Sequence, residues 1–249
     1  MKKFKQILAF GDSTLTGMGF DPADIWRWDD TTKQSTFPNQ LARMLDIPCI
    51  NTSIPGASND RSLRLLPEAL LTYPDSLVLF CYTFNDRTEQ FHSHKSMHNF
   101  DYYLPINPNQ RETTNTIKLE STAHYYKYVF DDNIDNHNRY KMYNMLLTVQ
   151  TLCEKYAVDY LQLFMMNEIL LEPVFQRPIY NAIDKSHIHT FTFNGVEDSK
   201  FNLGFSSFYT WAGYHKFRPA YDGVHPGEWA HTKLSEELYI KYTNQGTSS

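Results

Sequence analysis

The chain has 249 residues, 41% of them hydrophobic and 20% charged, which suits a substantial buried core and excludes a disordered chain. A formal net charge of −5 argues against nucleic acid as a partner, because phosphate binding rides on a basic surface. No stretch approaches the ~20 apolar residues needed to span a bilayer, so no membrane association is expected.

Residues 5–10 read as a short buried strand that Gly11 breaks. Lys2, Lys3 and Lys5 are followed only by Ile7-Leu8-Ala9-Phe10, short against the ~7–15 apolar residues of a signal sequence, so a cytoplasmic location is expected. After a polar insertion at about 14–36, helical spacing of Phe37, Leu41, Met44 and Leu45 predicts a helix that Pro48 closes. Strand two is expected at Cys49–Thr52. A helix over about 59–72 should turn Leu63, Leu66, Leu70 and Leu71 inward, and the apolar run Ser76–Tyr82 reads as a strand covered on both faces. A long polar insertion at about 87–135 follows. An amphipathic helix over about 136–156 then carries Met142, Leu146, Val149, Cys153 and Tyr156 on one stripe, and Tyr160–Met166 reads as another strand. Residues 167–221 read as irregular and aromatic-rich. A closing helix is expected from Pro226 to about Tyr242, with the proline in its first turn.

Strands alternating with helices predict an α/β fold with a mainly parallel central sheet, organised as one domain over residues 1–249. The three cysteines, Cys49, Cys81 and Cys153, fall in predicted strands and a helix, which fits reduced core thiols and no disulfide framework.

Four segments carry the chemistry, each where a strand hands over to a loop or helix: Gly11-Asp12-Ser13, Asn51 to Asn59 around Gly56, Thr83-Phe84-Asn85-Asp86, and Asp222-Gly223-Val224-His225-Pro226. All can converge on the carboxyl edge of one sheet, where such folds place their sites. Ser13, Asp222 and His225 supply the parts of a nucleophilic triad, since a hydroxyl needs a base and the base needs an orienting carboxylate. Singly these matches are weak. Ser13 also reads as a helix N-cap, Gly56 as a plain turn, and Asn85 with Asp86 as a cap or Asx-turn. Asp12 and Asp86 read as structural hydrogen-bonding residues rather than acids.

In their order and placement the four segments resemble the SGNH (GDSL-type) serine hydrolase family, whose signature blocks supply Ser, Gly, Asn and His in that sequence. The resemblance spans Gly11 to Pro226 and implies a three-layer α/β/α sandwich of flavodoxin-like form. It implies Ser13 as nucleophile, His225 as base and Asp222 as its orienter. The backbone N–H groups of Ser13 and Gly56 and the side-chain amide of Asn85 would form the oxyanion hole. One departure is plain. The family's third block begins with glycine where this chain has Thr83, and a side chain there is expected to shift Asn85 or narrow the pocket.

The activity so implied is cleavage of a carboxylic ester through an acyl-serine, with a small acyl group on a carbohydrate favoured and no cofactor required. Lipase, lysophospholipase, thioesterase or acyltransferase activity is the neighbouring alternative, and a non-catalytic carbohydrate-binding or assembly protein is the alternative from another class. The spacing of His92, His94 and His98, with Asp101 nearby, also admits a zinc reading. No metal site is expected there, because serine hydrolysis needs none. Trp26, Trp28, Tyr102, Tyr103, Trp211 and Tyr214 fall in segments that either rim the site or pack in the ordinary way.

Overall fold

In chain order the strands are β1 (Gln6–Phe10), β2 (Cys49–Asn51), β3 (Ser76–Tyr82), β4 (Thr88–Phe91), β5 (Tyr103–Ile106), β6 (Asp159–Phe164), β7 (Thr192–Phe193) and β8 (Val196–Glu197). The helices are α1 (Asp30–Gln34), α2 (Phe37–Met44), α3 (Asn59–Thr72), α4 (Ile134–Lys155), α5 (Pro178–Ala182), α6 (Phe208–Tyr214) and α7 (Glu228–Asn244). The computed structural model describes residues 4–83, 88–91, 103–106, 134–166, 178–193, 196–197 and 207–244.

The central sheet runs β2-β1-β3-β6, every pairing parallel. Its apolar strands follow from the period of two. Leu8, Phe10, Val78, Phe80 and Tyr82 face one way, onto Leu66 and Leu70 of α3 and Met142, Leu146 and Val149 of α4. Ile7, Ala9, Leu77, Leu79 and Cys81 face the other, onto Phe37 and Leu41 of α2, Phe208 and Trp211 of α6, and Leu234 and Leu238 of α7. Two apolar cores thus flank one sheet, which is the three-layer α/β/α architecture expected. The polar Gln162 of β6 lies inside, where its side-chain carbonyl accepts from the Tyr82 hydroxyl at 2.5 Å.

Several local readings are corrected. The closing helix begins at Glu228, not at the proline: Pro226 instead bridges Pro219, and the first helical turn is closed by Ala230 N–H on the Gly227 carbonyl. Leu71 is exposed, because the inward stripe of α3 runs through Ser62, Leu66 and Leu70 and the next residue lies a further ~100° around the axis. Met44 is likewise turned to solvent. The segment read as irregular at 167–221 contains α5, a 3-10 turn at Lys185–His187, the β7–β8 hairpin and α6. Of the two readings left open for Trp211, the structure gives packing in the core. The polar stretch 87–135 includes the antiparallel pair β4–β5.

Neighbours β2 and β3 lie on opposite sides of β1, so the chain leaves β1 in one direction and returns in the other. That reversal makes the carboxyl end of β1 and β3 the topological switch point, where a crevice opens in such sheets. Ser13 follows β1 and Thr83 follows β3.

Candidate active site

Gly11 and Asp12 follow β1, and Ser13–Leu15 forms a single 3-10 turn. The residue that caps this turn is Asp12, whose Oδ1 accepts from Thr14 N–H at 3.0 Å, so Ser13 is not the cap. The Ser13 carbonyl takes the Thr16 hydroxyl at 2.8 Å and its N–H at 3.1 Å. With its backbone pinned on both sides, Ser13 is only 7% exposed.

Asp222 and His225 come from a tight loop before α7. Ala220 N–H bonds the His225 carbonyl at 2.9 Å, and Pro219 bridges Pro226, which closes the loop. Within it Asp222 Oδ1 accepts the backbone N–H groups of Val224 (2.9 Å) and His225 (3.0 Å) in an Asx-type turn. Its other oxygen stands 2.5 Å from His225 Nδ1, and His225 Nε2 stands 2.8 Å from Ser13 Oγ. An ionised carboxylate only accepts, so Nδ1 carries the imidazole proton and Nε2 is left to accept from the serine hydroxyl. Burial acts to raise the Asp222 carboxyl. The hydrogen bonds from the His225 ring and from the two backbone N–H groups outweigh it and hold the group below its ordinary value. Residues 13, 222 and 225, far apart in sequence, are therefore one hydrogen-bonded line.

The second segment is tied to the first. Thr52 N–H and its hydroxyl both reach the Ala9 carbonyl, at 2.9 and 3.0 Å, and Asn51 Nδ2 donates to the Leu15 carbonyl at 2.8 Å. Arg61 then holds the Thr52 carbonyl at 2.8 Å. Gly56 adopts φ +72°, a left-handed backbone that favours glycine, and a Cβ there would meet open space. Its conformation rather than crowding thus calls for glycine. Of the third segment, Thr83 is buried, with its hydroxyl donating to Asp12 Oδ2 at 2.5 Å. Asn85 and Asp86 lie outside the described residues, as do His92, His94, His98, Asp101 and Tyr102. Among the described residues no group of three or more His, Cys, Asp or Glu is placed to hold a metal. The thiols are poor nucleophiles: burial pushes Cys49 and Cys153 up to about 12 and Cys81 well above its ordinary value.

Two contributors escape a reading of motifs. Gly19, at φ +84°, passes so close to Asp222 that a Cβ would lie 2.6 Å from the carboxylate, and its carbonyl accepts Tyr221 N–H at 2.8 Å. The paired glycines Gly17 and Gly19 inside a polar segment are the signal that could have found it. Asn59 brackets Thr83 through both of its backbone groups. Only a helix start marks it in the sequence.

Among the described residues no helix is long and apolar enough to cross a membrane. Residues 7–238 match the family described as GDSL-like Lipase/Acylhydrolase. No curated protein matches the chain. Solved structures similar to it include the psychrotrophic esterase EstA from Pseudoalteromonas sp., in a form inhibited by monoethylphosphonate. That protein is 14% identical, with 97% of this chain and 98% of that one covered and a TM-score of 0.42. Another is a carbohydrate esterase whose active site is described as having divergent catalytic and non-catalytic binding functions, 15% identical over 99% of this chain and 70% of that one, TM-score 0.42. With a family match that runs from β1 into the last helix, on an α/β fold, the chain belongs to the GDSL-like lipase/acylhydrolase family and is an ester hydrolase.

Proposed function

We propose that the chain removes a short acyl group, acetyl foremost, from a carbohydrate through an acyl intermediate on Ser13. The observation that carries this is the line Ser13 Oγ–His225 Nε2, 2.8 Å, continued by His225 Nδ1–Asp222 Oδ2, 2.5 Å. In the reaction so read, His225 Nε2 takes the Ser13 proton as Oγ bonds to the ester carbonyl carbon. The tetrahedral oxyanion is met by the Ser13 and Gly56 backbone N–H groups and the Asn85 amide. His225 returns the proton to the departing alkoxide as the C–O bond breaks. A water, deprotonated by the same nitrogen, then attacks the acyl carbon, and His225 returns that proton to Ser13 Oγ as the Oγ–C bond breaks and the carboxylic acid leaves.

The sugar and the short acyl chain are supported by the rim. Trp26, 71% exposed, follows Ile25, whose carbonyl accepts Gly19 N–H; the Gly19 carbonyl in turn accepts from exposed Tyr221, next to Asp222. Exposed aromatic residues beside a polar site suit the flat apolar face of a sugar ring. A long acyl chain wants a continuous apolar wall instead.

The test is hydrolysis of p-nitrophenyl acetate, butyrate and octanoate by the wild type and Ser13→Ala. Turnover of acetate above octanoate, lost in Ser13→Ala with little change in the melting curve, is the expected result. Preference for octanoate would move the reading to a lipase, and turnover surviving in Ser13→Ala would remove Ser13 from the mechanism.

A further inference from the structure

We propose that Thr83, which stands where the family's third block has glycine, is a positioning residue that ties the turn carrying Ser13 to the end of β3 and, through Asn59, to the start of α3. The inference deepens the acyl-Ser13 reading and rests on it.

Three residues converge. Asp12 precedes the nucleophile by one position, Asn59 opens α3 three residues after Gly56, and Thr83 ends the β3 segment two residues before Asn85. The buried Asp12 carboxylate is used at both ends: Oδ1 takes Thr14 N–H at 3.0 Å, and Oδ2 takes the Thr83 hydroxyl at 2.5 Å. The first bond shapes the turn that presents Ser13 N–H, and the second ties that turn to β3. Asn59 then binds Thr83 reciprocally. Its Oδ1 accepts Thr83 N–H at 2.8 Å, and its Nδ2 donates to the Thr83 carbonyl at 3.1 Å. The amide of a side chain thereby acts as one more rung of the sheet and anchors the start of α3 to the end of β3.

Glycine at position 83 could still receive both bonds from Asn59, which involve only its backbone. It could not reach Asp12. What the threonine adds is a hydroxyl donor to a carboxyl group buried from solvent, where such bonds are strong and directional. A donor array that stabilises a transient oxyanion works only if its members are fixed before the charge appears. The Thr83 hydroxyl therefore bears on the transition state more than on ground-state binding. The Thr83 side chain is turned inward, its hydroxyl on the carboxyl group that caps the turn of Ser13.

Thr83→Val keeps the shape and removes the donor; Thr83→Ser keeps the donor and removes the methyl. Steady-state hydrolysis of p-nitrophenyl acetate is measured for both, together with the rate of covalent labelling by a fluorophosphonate. For Thr83→Val, kcat is expected to fall about 10-fold with KM within about 2-fold of wild type, and labelling to slow by a like factor. Thr83→Ser is expected to restore both. A Thr83→Val enzyme with wild-type kcat overturns the inference, and so does a serine variant as impaired as the valine one. If Thr83→Val shows no cooperative melting, Thr83→Gly is read against Thr83→Ser, and equal kcat in those two overturns it. A wild type that is not labelled at Ser13 sinks the nucleophile reading and the inference with it. A wild type labelled at Ser13, with Thr83→Val labelled equally fast, sinks the inference alone.

Discussion

Gly19 shows how closely the segment after Ser13 approaches the loop that carries Asp222 and His225. Its left-handed φ excludes easy substitution, and the atoms a Cβ would strike belong to an Asp222 carboxylate that the His225 ring and two backbone N–H groups already hold. An alanine must therefore displace the Asp222 carboxylate or the loop that carries it. Gly19→Ala is expected to lower kcat/KM by about 10²-fold, the scale of a displacement near 1 Å at a reacting group. Steady-state kinetics on p-nitrophenyl acetate would show it, and an unchanged kcat/KM would mean that Asp222 yields without cost. Ser13, Asp222 and His225, which the structure joins in one hydrogen-bonded line, could be picked out because each sits in a short recognisable segment. Gly19 could not, because its partner lies 203 positions away (222 − 19) and no local pattern announces a close approach.

Among the elements, α3 carries an evident compromise. Pro67 stands inside the helix, where it lacks the N–H that would bond the Leu63 carbonyl. The helix survives because its Ser58 N-cap accepts Arg61 N–H at 3.2 Å and because Leu66 and Leu70 are buried against the sheet. Pro67→Ala restores the donor but also loosens the unfolded chain, an entropy effect of about 0.4–1 kcal/mol in the opposite direction. Because an interior proline costs about 3 kcal/mol, a net gain of about 1–3 kcal/mol in unfolding free energy is expected. Urea denaturation measures it, and a loss of stability would show that the ring's packing outweighs the missing bond. Element identity was readable from periodicity in β1, β3, α3 and α4. The start of α7 was not, because Pro226 fits a helix start by residue type, and only its bridge to Pro219 takes it out of the helix.

Across the whole molecule, stability is coupled to pH through a histidine that takes no part in the triad. His231 of α7 is fully buried among Phe20, Phe37 and Phe208, and its Nδ1 accepts Phe37 N–H at 3.1 Å, which joins α7 to α2. Burial first, and charge on His225 second, depress it from 6.5 to about 3. The folded value lies below the unfolded one, so as pH falls the unfolded chain takes up the proton first. The contribution of neutral His231 is therefore complete above pH 6.5 and is lost as pH drops toward 3. Within that window the slope approaches ~1.4 kcal/mol per pH unit from this one residue. Melting temperatures measured from pH 7 to 4 are expected to fall more steeply for the wild type than for His231→Gln, which keeps an acceptor but does not titrate. Parallel curves would contradict the assignment.

The sequence by itself determined the α/β class, most strand and helix positions, and the short segments that hold Ser13, Asp222 and His225, because periodicity and short motifs are local properties of the chain. Burial of both strand faces could be read from the unbroken apolar run at Ser76–Tyr82, which makes sense only under two helical layers. What only the tertiary structure decided is how separate segments constrain one another. Asp12 with Thr83 and Asn59, Gly19 against Asp222, and His231 beneath Phe37 are contacts between segments that meet only once the sheet has formed. Such partners are chosen by distance in space, and a linear pattern of residue types carries that information only where a motif happens to record it.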